Sequence, residues 1–193
     1  MARRARVDRA AVVDAAVRLV NAEGAGALSL SRVAGELGVR TPSLYNHIDG
    51  LPGLQRELAL RNAQMLADAF ADAAIGKAGA DAVVALAQAF RAYIKANHGL
   101  YLAGQDVTDL TAGDDAALRA AMDRSVRIVA AVMASFGLEG DDALHAVRAL
   151  RATVHGFATL EIARGFGLPL YCDESFRRLV QMLIVGLQRV EVV

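Results

Sequence analysis

Cysteine is almost missing from this 193-residue chain. Cys172 stands alone, so no disulfide can close within it, and a reducing compartment suits it. No apolar run approaches the roughly 18 uncharged residues of a membrane span. Asp8, Arg9 and Asp14 interrupt the apolar stretch that a secretory signal would place behind the N-terminal arginines. A cytoplasmic protein without membrane contact is expected. Net charge is absent as well: 21 basic residues balance 21 acidic ones, which excludes a chain that is basic throughout. Strand-like alternation, internal repeats and low-complexity linkers are lacking too.

Catalytic signatures are equally scarce. The chain has no HExxH, no Walker loop and no GxSxG elbow. Gly165-Phe166-Gly167 has no preceding strand to make a dinucleotide site, and Cys172 has no base near it in sequence. Asp114-Asp115 and Asp141-Asp142 read as helix starts, where carboxylates favour the dipole. His47, His98, His145 and His155 have no metal-ligand spacing. The expectation is a protein that is not an enzyme and uses neither cofactor nor metal.

What the chain does have is helical periodicity. Hydrophobic residues make up 55% and mean hydropathy is +0.33, ample material for a core. Val13, Ala16, Val17 and Val20 form one stripe, closed by Gly24. Further stripes start at Leu51, Val83, Leu118 and Leu144, the last of these running through Val147, Leu150, Val154 and Phe157. The cleanest is Phe176, Leu179, Val180, Leu183, Leu187 and Val190. The pattern predicts an all-α fold of about nine helices, with breaks at Gly137–Asp142 and Gly165–Pro169.

The N-terminal fifty residues stand apart. They carry seven arginines (3, 4, 6, 9, 18, 32 and 40) against five acids (8, 14, 23, 36 and 49). A basic arm beside a compact domain suits phosphate, or is simply a frayed soluble end. Within this part the run LGVRTPSLYNH, residues 37–47, sets a glycine and a proline between two short helical segments. Ser29 or Ser31 can cap the first helix. Gly38 can end it in the left-handed conformation. Thr41 can cap the second, with Pro42 at its first position. Val33, Leu37, Val39, Leu44 and Ile48 would face inward with Ala34 at the crossing, leaving Thr41, Ser43, Asn46 and His47 outward beside Tyr45. That is the layout of a helix-turn-helix, whose second helix lies in the major groove. The alternative is an ordinary capped helical hairpin with a solvated face.

Residues 8–60 resemble the N-terminal DNA-binding domain of TetR-family transcriptional regulators, most specifically over LSLSRVAGELGVRTPSLYNHIDGLPGL, residues 28–54. The resemblance implies a homodimer that binds a palindromic double-stranded operator and is usually released when a small-molecule effector enters the C-terminal part. It assigns Ser29 to a phosphate contact, Ser31 and Arg32 to base or backbone contacts, Arg40, Thr41, Pro42 and Ser43 to base reading, and Tyr45, Asn46 and His47 to phosphate or base contacts. One departure is Asp49-Gly50-Leu51, where the family often begins its fourth helix with lysine. The implied division is a helix-turn-helix domain over 1–50 with its basic arm, then a ligand-binding and dimerisation domain over 51–193, with a helix at 51–74 connecting them.

Beyond residue 80 the segment VHGFATLE, residues 154–161, is similar to one C-terminal subclass of the family, with Arg151 where that subclass often has tryptophan. Helices near 141–164 and 174–190 are the expected dimer interface, since so continuous a stripe needs a partner surface or burial in its own chain. Gly186 and Ala158 are small enough for close crossing. His98, Tyr101, Met122, His155 and Phe157 mix polar tips with apolar bodies and are the candidate effector-pocket residues. Either histidine also fits an ordinary core role. Glu161 can tune His155, bind a cationic ligand or pair with Arg164. The competing reading is a helical small-molecule-binding or scaffold protein whose DNA-reading unit is vestigial.

Overall fold

Short polar residues decide where the helices begin. Asp8 caps α1 (Arg9–Glu23) by accepting the Ala11 N–H at 2.9 Å. Ser29, rather than Ser31, caps α2 (Leu30–Glu36), accepting from Arg32 N–H at 3.4 Å. Asp115 does the same for α6 (Ala116–Met133), taking the N–H groups of Ala117 and Leu118 at 3.2 and 3.1 Å. Ser135 serves α4 (Gly79–Ala96) from a distance, since its Oγ accepts the Gly79 N–H at 3.0 Å. The structure, a computed structural model, describes residues 7–111 and 115–189.

The remaining helices are α3 (Gly50–Ala74), α5 (His98–Thr111), α7 (Gly140–Ile162) and α8 (Cys172–Leu187). Single 3-10 turns stand at Ala25–Ala27 and Ala134–Phe136, and the six-residue 3-10 rod Thr41–Asn46 makes a ninth helix among the described residues. The described residues include no strand, and none of their helices is long and apolar enough to cross a membrane.

Packing gathers the chain into two compact units. The first takes the described residues up to Ala63 together with those of Asn97–Arg119. Its core joins Val12, Ala16 and Val20 of α1 to Val33, Leu44, Leu54 and Leu58. The start of α5 lies directly on the end of α1: a Cβ on Gly99 would stand 1.8 Å from the Val20 carbonyl oxygen. The Leu100 N–H donates to Asn21 Oδ1 at 2.9 Å beside it.

The second unit holds Gln64–Ala96 and the described residues from Ala120 onward. Here α4, α7 and α8 pack on one another. The Phe70 and Phe90 rings meet edge to face at 5.3 Å. The buried row of α8 is Phe176, Val180, Ile184 and Leu187, while Leu179 and Leu183 are half-buried. Val190 lies outside the described residues. In α7 the stripe shifts from expectation. Leu144 is exposed, and Ala143 and Ala146 are buried in its place. Small alanines let α7 approach its neighbours closely, so burial follows geometry there rather than side-chain hydrophobicity.

Candidate nucleic-acid interface

α2 ends as its sequence requires. Gly38 takes φ +66°, and the Val39 N–H returns to the Ala34 carbonyl at 3.0 Å. Leu37 and Val39 are half-buried against the fully buried Val33 and Ala34. The chain then leaves through Arg40 into the rod Thr41–Asn46.

That rod differs from expectation in two ways. Arg40, not Thr41, occupies the cap position, and no side chain caps it. The segment also winds as a 3-10 helix, with Ser43 N–H donating to Arg40 O and His47 N–H to Leu44 O, both at 2.9 Å. Six residues give little length for i→i+4 bonds, and the tighter winding satisfies the short segment's carbonyls.

The winding sorts the side chains. At three residues per turn, positions i and i+3 eclipse. Leu44 is buried, and Thr41 and His47, on its row, are half-buried. Arg40, Ser43 and Asn46 form a second row, and Pro42 and Tyr45 a third; all five are exposed, Tyr45 to 60%. An α-helical reading turned Thr41 and His47 fully outward; the structure puts them at the edge of the core. The Tyr45 ring lies beside Gly50, the first residue of α3, where φ is +69°.

The other predicted contacts lie at the start of α2. Ser29 is half-buried, Ser31 is exposed, and their hydroxyls lie 3.2 Å apart. The Arg32 guanidinium is held by Glu23 at 2.5 Å, and that hydrogen bond raises its pKa further above the ordinary value. Arg18 pairs with Glu36 at 2.7 Å and Arg61 with Asp14 at 2.9 Å, which ties α1 to α2 and to α3. Arg9 reaches Glu57 at 2.5 Å. Arg3, Arg4 and Arg6 lie outside the described residues.

The predicted effector residues fall in different places. His98 is half-buried and Tyr101 buried at the start of α5, in the first unit where that helix meets α1. Met122, His155 and Phe157 belong to the second unit. Met122 and His155 are half-buried; Phe157 is buried, its ring 5.1 Å from Phe176 and 4.7 Å from Phe166. Burial, and next to it the charge of Arg151, lowers the His155 pKa below the usual imidazole value.

Glu161 pairs with Arg91 and Lys95, not Arg164. Arg91 was not anticipated: its Nε and Nη2 donate to the two oxygens of Glu161 at 2.8 and 2.7 Å. The only hint in sequence is an arginine interrupting the apolar α4 pattern between Phe90 and Tyr93. Among the described residues no three His, Cys, Asp or Glu side chains are grouped to hold a metal ion.

Comparisons with known proteins agree with this layout. Residues 83–183 match the family model described as the tetracyclin repressor-like C-terminal domain. An uncharacterized HTH-type transcriptional regulator of Mycobacterium tuberculosis, Rv0681, is 32% identical over 98% of this chain and 85% of its own length. Another from Bacillus subtilis, YobS, is 33% identical over 91% of this chain and 90% of its own. Among solved structures, a protein of unknown function from Rhodococcus sp. RHA1 superposes with a TM-score of 0.77 at 25% identity, covering 94% of this chain and 95% of that one. The TetR-family regulator PfmR from Thermus thermophilus shares the fold, with a TM-score of 0.68 at 22% identity over 92% of this chain and 99% of that one.

Proposed function

Because this chain belongs to the TetR family of DNA-binding transcriptional regulators, we propose that it is a ligand-responsive repressor acting in the cytoplasm as a homodimer on a palindromic operator. The observation that carries the reading is the rod Thr41–Asn46. Its buried row anchors it to α2, and two exposed rows offer a cation, a hydroxyl, an amide and a phenol to DNA. Arg40 suits guanine or phosphate and Asn46 adenine, while Ser43 and Tyr45 reach either base edges or phosphate oxygens. Ser29, Ser31 and Arg32, at the start of α2, add phosphate or base contacts. Thr41 and His47 contribute from the inner edge of the rod, and Pro42 holds its second position, one residue later than the sequence suggested.

In this reading residues 1–50 bind DNA and residues 51–193 bind the effector and dimerise, with α3 leading from one to the other. α7 and α8 form the dimer interface. Both expose apolar side chains that a partner would cover, namely Leu144, Leu160 and Met182. A dimer places two rods in successive major grooves, about 34–36 Å apart. The effector favours a conformer in which that spacing is lost, and it acts only through its differential affinity for the two conformers.

Fluorescence anisotropy with the promoter DNA beside its own gene, titrated at several salt concentrations, tests the proposal. Tight binding that strengthens as salt falls is expected. Arg40→Ala should reduce the salt slope by about one if it meets a phosphate, or relax one base position if it meets a base. Ser43→Ala and Asn46→Ala should weaken binding at unchanged melting temperature. Binding that stays at the nonspecific level for every variant would overturn the proposal.

A further inference from the structure

In the second unit, α4 and α8 enclose a groove of about 550 Å³, within the size range of small-molecule sites. None of the five effector residues suggested by sequence lines it. Val84, Phe176 and Val180 give it an apolar wall, and Arg91, Lys95 and Arg177 supply three cations. Asp173 is the one carboxylate in the lining.

Arg91 is the fixed point of the groove. Its side chain is only 12% exposed, and Glu161 holds it by the two-pronged contact described above. Its guanidinium carbon lies 4.7 Å from the centre of the Phe176 ring and 5.5 Å from that of Phe157. These contacts orient a cation before any ligand arrives, which lowers the ordering cost of binding. The remaining partner is of another kind. Asp173 meets Nη2 at 2.8 Å, yet its side chain is 88% exposed. A solvated carboxylate making one such contact contributes little and is readily exchanged.

We infer that the α4–α8 groove binds an organic monoanion, a carboxylate on an apolar body, whose head replaces Asp173 on Arg91. Lys95 and Arg177 flank the incoming charge, and the body lies along Val84, Phe176 and Val180. A single negative charge fits because Glu161 already pairs with Arg91 and Lys95, Glu174 holds Arg177 through two hydrogen bonds of 2.8 Å, and only one carboxylate is exchanged. A carboxylate fits because Asp173 already presents that group to the guanidinium. The effector role of this site rests on the regulatory reading above; the site itself does not.

Isothermal titration calorimetry on the full chain tests the site with octanoate and 4-phenylbutyrate, each against its own primary amide. At least one acid should bind about tenfold or more tightly than its amide. The better of the two shows whether the body is aliphatic or aromatic. Asp173→Asn, on an exposed side chain, should tighten acid binding about three- to tenfold by removing the internal competitor. Ala92→Phe, at another exposed position of the lining, should abolish binding by filling the groove.

Binding of neither acid, equal binding of acid and amide, weaker binding to Asp173→Asn, or indifference to Ala92→Phe would each overturn the proposal. Operator affinity measured in parallel separates the two readings. An acid that binds with these properties but leaves operator affinity unchanged refutes the effector role and keeps the site. A chain that binds no operator either with or without acid refutes the regulator reading alone.

Discussion

Arg56 of α3 grips Asp115, 59 residues further along the chain, with Nε and Nη2 on the two carboxylate oxygens, the second contact at 2.9 Å. The same carboxylate caps α6, so one side chain both starts a helix and ties it to α3. Glu57 extends the network, accepting from Arg56 and from Arg9.

Loss of Asp115 should therefore be felt twice. Asp115→Ala is expected to cost more than the roughly 1 kcal/mol of a lost cap, because Arg56 is left without its main partner. Asp115→Asn keeps a capping oxygen and should cost less. The Arg56 hydrogen bond, then the backbone N–H of Leu118, holds the Asp115 carboxyl below the usual carboxylate range. A depressed folded pKa contributes stability above the unfolded value and loses it as pH falls through the folded one. Urea unfolding at pH 7 and at stepwise lower pH should show a loss in the acid range that shrinks in Asp115→Asn. An identical acid profile in both proteins would contradict this.

Gly99 should tolerate no side chain. An added Cβ meets the Val20 carbonyl oxygen at 1.8 Å and Asn21 N at 2.8 Å, and these are backbone atoms that cannot rotate aside. Gly99→Ala is expected to destabilise by about 3 kcal/mol or more. Gly156 in α7 is the control: its own helix backbone and adjacent residues aside, no heavy atom of the described residues lies within 4 Å of its added Cβ. Gly156→Ala should stabilise the chain by about 0.5–1 kcal/mol. Melting curves that move the two variants together would refute this packing.

His155 predicts a second pH effect with the same sign. Burial, aided by Arg151, holds its folded pKa below the ordinary value near 6.5. Above that value both states leave the imidazole neutral. As pH falls through it, the unfolded chain takes up the proton first and stability drops. His155→Gln should remove this part of the pH dependence, and NMR titration of the ring should give a pKa below that of a free histidine. A ring pKa above 6.5 would contradict it.

Gly186 offers a test of dimerisation. It is exposed near the end of α8, and, its own helix backbone and adjacent residues aside, an added Cβ meets no heavy atom of the described residues within 4 Å. Gly186→Leu should leave the helical circular-dichroism signal unchanged while shifting sedimentation from dimer towards monomer. A dimer that persists unaltered would move the interface away from this end of α8.

Much of this architecture was legible in the order of residues, for local reasons. The serines at 29 and 31 and the acid at Asp115 mark helix starts because a short side chain meets nearby N–H groups; the Asp8 cap was not read from the sequence. Gly38 marks an end because a left-handed residue favours no Cβ. The helix-turn-helix run is likewise local, and residues 28–54 carried the family resemblance.

What sequence could not decide lies in contacts between distant segments. Periodicity set Thr41 and His47 outward, but the winding of six residues against α2 was settled by packing, and it turned both towards Leu44. His98 and Tyr101 read as pocket residues, while Gly99 between them docks α5 on α1. Arg91 met Glu161 across 70 residues because folding stacked α4 on α7. Caps and breaks are fixed within a turn of chain; which charge faces which ring is fixed only when helices far apart in sequence are pressed together and must share the space between them.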